Sequence, residues 1–340
     1  VAPAIAAGNT IVAKAPHQNP LTNLVMAKVY DLLPPGVVNV ITGAAETGEA
    51  LIQHPKVDLI AFTGSTKVGR RIASVAGQNL KKMNLELGSV DPFLVFKDAN
   101  LDVAVPAAAW ARLLNAGQVC TSSKRIYVEK SIAAEFTERL LAHVKTIRVG
   151  DPMKPDTDVG PLISSQAADH VERQVAASVK EGATLALGGK RFQPPGLKGY
   201  YFEPTILTNV KHGTLPTTEE IFGPVLSITV AADADEMIRM ANDSNYGLGC
   251  VIYTNNLEVS MRAMENIKAG TFWINDPLTD NDAGPFGGMR WSGMGRELGP
   301  EGLDAFREPK HVHMDYVQEV KNYWFPYKNR KLPSPSSHGA

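Results

Sequence analysis

Short apolar segments, many of them rich in β-branched residues, alternate with longer amphipathic segments along most of the chain. Such apolar segments are typical of buried strands, and the segments between them have helical spacing. The alternation indicates an α/β fold with a mostly parallel sheet that helices cover on both faces. The predicted strands are 10–14, 37–41, 57–62, 83–87, 92–96, 125–128, 185–187, 202–210, 225–231, 249–254 and 271–275. The predicted helices are 20–33, 47–54, 67–76, 101–114, 131–146, 164–181, 233–242 and 257–267.

Cys120 lies on a tight loop between the predicted helix 101–114 and the predicted strand 125–128. Gly117 follows the last helical turn, where a glycine commonly ends a helix. Loops on a rigid scaffold often carry catalytic groups, whereas a lone cysteine is more often a small buried apolar residue. The loop alone therefore leaves a nucleophile and a structural thiol as alternatives.

A turn with the residues Gly64, Ser65 and Thr66 joins the predicted strand 57–62 to the helix 67–76. The free N–H groups at the start of such a helix can bind a phosphate or a pyrophosphate. The alternative is that Ser65 or Thr66 only caps the helix.

Glu86 lies within the apolar strand 83–87, where a carboxylate must be paired, hydrated or functional. One strand and one helix separate it from Cys120, and we expect that unit to return the chain to the same end of the sheet. Glu86 and Cys120 would then face one cleft as a general base and a nucleophile. A solvated strand end is the alternative interpretation of Glu86.

Composition narrows the class of protein. The chain has 340 residues, of which 44% are hydrophobic, and its formal net charge is -1. Without a basic excess, neither nucleic acid nor an anionic membrane is an expected partner. Two cysteines cannot build a disulfide framework, so we expect a reducing, cytoplasmic compartment. We assign no metal ligands. The opening residues 1–8 resemble the last turns of a helix whose start is absent, so we expect the downstream part of a longer protein.

Six motifs resemble those of the aldehyde dehydrogenase superfamily, in its order and at its spacing, and the match extends to about residue 310. The motifs are the turn 62–69, Leu85–Gly88, Gly117–Cys120, Glu220–Pro224, Pro285–Gly288 and Ser292–Gly299.

The resemblance implies an aldehyde-dehydrogenase-like organisation. Residues 1–88 would form part of a Rossmann-type dinucleotide-binding domain, and residues 89–291 an α/β catalytic domain with the cysteine nucleophile. Residues 292–306 would return to the cofactor domain, 307–325 would hold an oligomerisation strand, and 326–340 would be a disordered tail. The family is usually dimeric or tetrameric, so a homodimer or homotetramer is expected.

The resemblance also implies roles for single residues. Cys120 would attack an aldehyde to give a thiohemiacetal and, after hydride transfer to NAD or NADP, a thioester. Glu86 would activate the water that hydrolyses the thioester, and Glu297 resembles an acid that some members use as a second proton relay. The implied cofactor-binding residues are Lys14, His17, Gly64, Ser65, Gly88, Glu220 and Phe222. The implied substrate-binding residues are Val119, Thr121, Asn275 and Phe286.

The chain departs from the family pattern at several positions. Ser89 and Val90 stand where the family usually has Gly-Lys, and Ser122 replaces the small or amide residue expected two places after the nucleophile. His17 stands where members that prefer NAD usually carry a glutamate, which makes NADP use plausible. The family's first third, with a side-chain donor to the oxyanion, is absent, so we expect this chain alone to be inactive or marginal.

Two other functions remain as alternatives. The protein could pass the acyl group to coenzyme A, although family members that do so often lack the glutamate that corresponds to Glu86. It could also be a non-catalytic binding or structural protein with the same fold. An acidic loop with Asp276, Asp280 and Asp282 could attract a cationic aldehyde or could be a solvated surface loop.

Overall fold

The computed structural model describes residues 1–321 and 323–327. Val1–Phe306 form one compact unit, and a second unit begins at Arg307. The strands are β1 (Ile11–Lys14), β2 (Val38–Ile41), β3 (Leu59–Thr63), β4 (Lys82–Glu86), β5 (Pro92–Val95), β6 (Arg125–Glu129), β7 (Thr184–Leu187), β8 (Arg191–Phe192), β9 (Tyr201–Phe202), β10 (Thr205–Thr208), β11 (Val225–Ala231), β12 (Gly249–Tyr253), β13 (Thr271–Ile274) and β14 (Gly293–Met294).

The α-helices are α1 (Ala2–Ala6), α2 (Pro20–Tyr30), α3 (Ala45–Gln53), α4 (Thr66–Gln78), α5 (Leu101–Leu113), α6 (Ala133–Val144), α7 (Ser165–Lys180), α8 (Leu215–Thr218), α9 (Ala234–Asn242), α10 (Leu257–Asn266) and α11 (Gly299–Asp304). Short 3-10 helices span Leu114–Gly117 and Arg290–Ser292. The predicted strand 202–210 was wrong in detail, because Pro204, which has no N–H to donate to a ladder, separates β9 from β10.

The large sheet has seven strands in the order β13-β12-β5-β6-β11-β10-β7. All neighbouring pairs run parallel apart from β10 and β7, which are antiparallel. Phe93 and Val95 of β5 belong to a core that includes residues of α5, α6 and α7, while Leu94 belongs to a second core with residues of α9 and α10. Helices therefore cover both faces of a mostly parallel sheet, which confirms the predicted α/β fold.

Glu86 lies in a separate sheet of three strands, in the order β14-β4-β3. Strand β4 pairs parallel with β3 and antiparallel with β14, whereas the loop that carries Cys120 leads into β6 of the large sheet. The expectation that Glu86 and Cys120 lie at the same end of one sheet was therefore wrong. The chain leaves the small sheet after β4 and begins the large sheet at Pro92.

A further two-stranded parallel sheet joins β1 to β2. Strands β1 to β4 of these two small sheets thus lie before residue 88, and β14 adds residues 293–294, whereas the large sheet is built from residues 92–274. The assignment of residues 1–88 and 292–306 to a cofactor domain and of residues 89–291 to a catalytic domain stays a prediction.

In the second unit, the described residues 307–321 and 323–327 include neither a helix nor a strand. Lys321 pairs with Asp315 at 2.7 Å and with Glu319 at 2.9 Å. A strand that pairs between subunits forms its backbone hydrogen bonds with the sheet edge of another chain. The oligomerisation role of residues 307–325 therefore stays a prediction. The predicted disordered tail lies outside the described residues from 328 onward.

Among the residues that the structure describes, no helix combines the length and the apolar character needed to cross a membrane.

Candidate active site

The backbone in front of Cys120 is strained. Asn115, Ala116 and Gly117 have positive φ angles of 52°, 57° and 75° in succession, a conformation that only glycine adopts readily. A Cβ at Gly117 would also overlap the carbonyl group of Gly223. The loop from Gly117 to Lys124, called the Cys120 loop here, therefore packs directly on the motif Glu220–Pro224, from which it is far removed in sequence.

Cys120 is a free, half-buried thiol on this loop. Burial raises the pKa of the Cys120 thiol above its ordinary value, whereas the Lys124 ammonium and the Thr121 N–H act in the opposite direction. The buried carboxyl of Asp91 and the carboxyl of Glu220 add to the increase. The reactivity of the thiol thus depends on how much positive charge the protein holds close to it.

Glu220 closes one side of the same region. One of its carboxylate oxygens accepts a hydrogen bond from the Ser89 N–H at 3.1 Å and lies 3.3 Å from the Lys124 ammonium. A Cβ at position 88 would clash with the other oxygen, so the lack of a side chain at Gly88 allows this close approach. The predicted residues Gly88, Cys120 and Glu220 are therefore brought together.

The Glu86 carboxylate is buried, with 3% of the residue exposed, and neither oxygen has a hydrogen-bond partner among the described residues. A Cβ at Gly287 would lie 2.8 Å from one of these oxygens. Burial raises the pKa of Glu86 to about 8, with a further increase from Glu297 and a decrease from Arg296. The structure thus places Glu86 beside Glu297 and Arg296, in the arrangement of a carboxyl group that keeps its proton at neutral pH.

Glu297 and Phe286 are joined through their backbones. Each donates its N–H to the carbonyl oxygen of the other at 2.7 Å. Phe286 is half-buried and Glu297 is exposed. This bridge fixes the backbone of Glu297 beside Phe286. The Glu297 carboxylate lies close enough to Glu86 to raise the pKa of that carboxyl group by like-charge repulsion.

At the start of α4, the Ser65 hydroxyl accepts a hydrogen bond from the Val68 N–H at 3.4 Å. The capping interpretation of Ser65 is therefore confirmed. Gly64 and Ser65 are exposed, and the N–H groups of a helix's first turn have no intrahelical partner. Phosphate binding at this turn stays a prediction.

Lys14 donates from Nζ to the carbonyl oxygens of Ala15 and Gly43, at 2.9 and 3.1 Å. These two bonds tether its ammonium at the carboxyl ends of β1 and β2. His17 is exposed in the segment that follows β1. Their contacts with a cofactor stay predictions.

The predicted substrate-binding residues differ in their freedom to contact a ligand. Both polar atoms of the Asn275 side chain bond the backbone of Thr254, at 3.1 and 2.9 Å. The amide of Asn275 therefore holds the end of β12 to the end of β13. Val119 is half-buried and Thr121 is buried within the Cys120 loop, while Phe222, of the cofactor set, is 40% exposed.

The acidic loop is partly folded on itself. The Thr279 hydroxyl donates to Asp276 at 2.8 Å, and the buried Trp273 donates its indole N–H to the Thr279 carbonyl at 2.7 Å. Burial raises the pKa of Asp280. These contacts use one carboxylate within the loop, and a role for the loop in substrate choice stays a prediction.

Three charged residues near the site were missed in the sequence. Arg112, Asp91 and Lys124 are all buried, with at most 3% exposed. Burial raises the pKa of Asp91 to about 7 and lowers that of Arg112 to about 9. The signal was the presence of charges inside a predicted core helix and at the starts of predicted strands, where each must find a partner.

The profile of the aldehyde dehydrogenase family matches residues 1–312. Betaine aldehyde dehydrogenase of Bacillus subtilis is 40% identical over 96% of this chain and 67% of its own length. The chain belongs to the aldehyde dehydrogenase family.

Solved structures of the family agree with this assignment. Betaine aldehyde dehydrogenase of Staphylococcus aureus, in complex with NAD+, has a TM-score of 0.92 and 36% identity, with 95% of this chain and 65% of that chain covered. An NADP-dependent enzyme of Escherichia coli has a TM-score of 0.86 and 36% identity, with 89% and 63% covered. The resemblance drawn from six motifs is confirmed, and the chain spans about two thirds of the length of these aldehyde dehydrogenase relatives.

Proposed function

We propose that the protein oxidises an aldehyde to a carboxylic acid with NAD+ or NADP+, and that Cys120 is the nucleophile. The observation that carries the proposal is the convergence of the Cys120 loop, Gly88 and the Glu220 carboxylate, three family motifs that are remote in sequence. Membership of the aldehyde dehydrogenase family supports the same activity.

The residues present fit a dinucleotide. A Cβ at Gly88 would clash with the Glu220 carboxylate that is expected to bind the nicotinamide ribose, and the first turn of α4 offers free N–H groups to a pyrophosphate. Lys14, Ser65 and Glu220 would hold the adenosine ribose, the pyrophosphate and the nicotinamide ribose, with Phe222 packed at the ring. NAD(P)+, when bound, supplies the acceptor for the hydride that leaves the substrate's carbonyl carbon.

Cys120 acts first. Its thiolate adds to the carbonyl carbon and forms a C–S bond, which gives a thiohemiacetal. Loss of hydride from that carbon leaves a thioester on Cys120. Lys124 and the Thr121 N–H, which both lower the pKa of the thiol, favour the thiolate that this step needs.

Glu86 then takes a proton from the water that attacks the thioester, and the C–S bond breaks to release the acid and the Cys120 thiolate. A carboxyl group with a pKa of about 8 performs this step only in its ionised fraction. Since the Glu86 carboxylate lies beside Gly287 and Glu297 raises its pKa, we propose that the ionised Glu86 side chain turns from Glu297 toward Cys120 during hydrolysis.

The test is coenzyme reduction with a panel of aldehydes, measured with NAD+ and with NADP+ on the intact gene product and on this chain alone. Cys120→Ala should abolish turnover, whereas Cys250→Ala, a matched change of the fully buried second cysteine, should preserve it. Free acid as the product supports the proposal. An acyl-coenzyme A product would mean that the acyl group passes to coenzyme A and that the thioester is not hydrolysed. Unchanged turnover in Cys120→Ala would overturn the assignment of the nucleophile.

We also propose that the protein acts in the cytoplasm as a homodimer or homotetramer. The family resemblance and the low cysteine content support these two assignments. Light scattering of the intact gene product measures the assembly directly. A monomer that turns over aldehydes would contradict the assignment of a homodimer or homotetramer.

A further inference from the structure

Two of the positions at which this chain departs from the family pattern, Ser89 and Ser122, contact the same region of the structure. The Ser89 hydroxyl donates to the carbonyl oxygen of Cys120 and accepts from Lys124 at 3.1 Å. The Ser122 hydroxyl accepts from Arg112 at 2.6 Å. Both serines therefore bond buried cations that lie beneath the Cys120 loop.

Lys124 is the centre of this network. Its ammonium lies 3.2, 2.6 and 3.2 Å from the carbonyl oxygens of Val119, Cys120 and Ser122, and these oxygens share its three N–H groups with the Ser89 hydroxyl. Its side chain is only 2% exposed. Three carbonyl groups of one short loop thus turn toward a single buried positive charge.

The same ammonium lies 3.3 Å from the Glu220 carboxylate, which arrives from a different part of the chain. A buried cation with several acceptors and one carboxylate is well satisfied, but loss of the cation leaves the carboxylate without its charge partner. Among the residues that the structure describes, the Glu220 carboxylate would then keep only the bond from the Ser89 N–H. The position of the carboxylate and the shape of the loop therefore depend on one side chain.

We propose that Lys124 is a positioning residue that holds the Cys120 loop and Glu220 in one fixed arrangement, and that the Ser89 hydroxyl supports it by bonding both the ammonium and the Cys120 carbonyl. The inference rests on the proposed function for the roles of Cys120 and Glu220. It adds that nucleophile reactivity and coenzyme affinity are set together by a residue that contacts neither the substrate nor the coenzyme.

The first test is the rate of Cys120 alkylation by iodoacetamide across pH, measured on the intact gene product without substrate. The charged groups that face the thiol are Lys124, Asp91 and Glu220. In Lys124→Met the rate at about pH 8 should fall about fivefold or more, with its midpoint moved to higher pH, because the nearby positive charge is lost. In Ser89→Gly, which keeps the ammonium, the rate should fall about fourfold as the loop loosens.

Arg125→Met is the matched control. Arg125 is an equally buried cation at the next position, but it donates to the carbonyl groups of Val90, Met240 and Ala241. The alkylation rate of this variant should stay within about twofold of the wild type. An equal fall in the control and in Lys124→Met would mean a general loss of packing and would overturn the proposal.

The second test is the Kd of the coenzyme that the wild type prefers, measured by fluorescence titration. Lys124→Met should raise this Kd about tenfold, but by less than about twofold in a Glu220→Gln background, because the effect acts through Glu220. Equal effects in both backgrounds would overturn the link to Glu220. If Lys124→Met does not fold, Ser89→Gly decides, and an alkylation rate equal to that of the wild type rejects the proposal.

The two tests separate this inference from the proposed function. A wild type that turns over no aldehyde, yet alkylates in a Lys124-dependent manner, would refute the enzyme activity and keep the positioning role. Turnover with alkylation that is independent of Lys124 would do the reverse.

Discussion

Replacing Glu86 with glutamine should change how the stability of the protein depends on pH. The Glu86 carboxyl is buried without a hydrogen-bond partner among the described residues, and its pKa rises from 4.5 to about 8. Because the folded protein holds this proton more tightly than the unfolded chain does, the contribution to stability is complete below pH 4.5 and is lost as the pH rises through about 8. Glutamine carries no such proton.

The magnitude follows from the two pKa values. Linkage between proton binding and folding lowers the free energy of unfolding of the wild type, relative to its value at low pH, by roughly 1.5 kcal/mol at about pH 5.5 and by roughly 4.5 kcal/mol at about pH 8.5. The difference in the free energy of unfolding, Glu86→Gln minus wild type, should therefore increase by about 3 kcal/mol between these two pH values. Screening by solvent at the edge of the site could halve that gain.

The assay is urea denaturation of both proteins at the two pH values, with the pH dependence of the difference as the result. Any constant effect of the amide cancels in this comparison. The control is the same comparison in a Glu297→Gln background. Removing the neighbouring carboxylate should lower the pKa of Glu86 and so make the pH-dependent difference in the free energy of unfolding smaller. A difference that is constant within about 0.5 kcal/mol would refute the reasoning.

The same pKa applies to catalysis. Hydrolysis of the thioester needs ionised Glu86, so its rate should rise with pH and level off above about 8. Single-turnover measurements of acid release report this step directly. A rate that is already constant between about pH 6 and about pH 9 would contradict the role of Glu86 as the base.

Three further substitutions probe the framework of the site. Gly117→Ala should cost about 2 kcal/mol or more in thermal unfolding, since its φ is 75° and a Cβ there would overlap a carbonyl group, whereas Gly77→Ala has open space and should cost nothing. Asn275→Ala should cost roughly 1 to 3 kcal/mol through its two lost bonds to Thr254 and should change KM for aldehydes by less than about twofold; a large change in KM would give Asn275 a direct substrate role. Arg112→Met should destabilise by about 3 kcal/mol, because buried carbonyl groups lose their donor, and an unchanged urea midpoint would contradict this.

Local sequence patterns predicted most of the elements correctly. The helix 101–114 and the strand 125–128 differ from α5 and β6 by one residue at one end, because periodicity and glycine positions act over short distances. The position of Cys120 on the intervening loop was therefore predictable, as was the capping alternative for Ser65.

The partition of strands between sheets was not predictable from these patterns. Nothing in the local sequence of β4 or β5 states that β4 pairs with β3 and that β5 pairs with β6. The chain crosses between sheets in the few residues from Leu87 to Asp91, so Glu86 and Cys120 end in different sheets. Pairing depends on long-range packing, and strand preferences depend strongly on that context.

The polar network beneath Cys120 was beyond local reasoning for the same physical reason. Arg112 bonds Val225, Ser89 bonds Cys120 and Lys124 pairs with Glu220, each across a long stretch of chain. The sequence alone determined that buried charges must find partners, because an unpaired charge in a core is too costly. Only the folded chain decided which groups meet them, since burial and distance exist only once the elements have packed together.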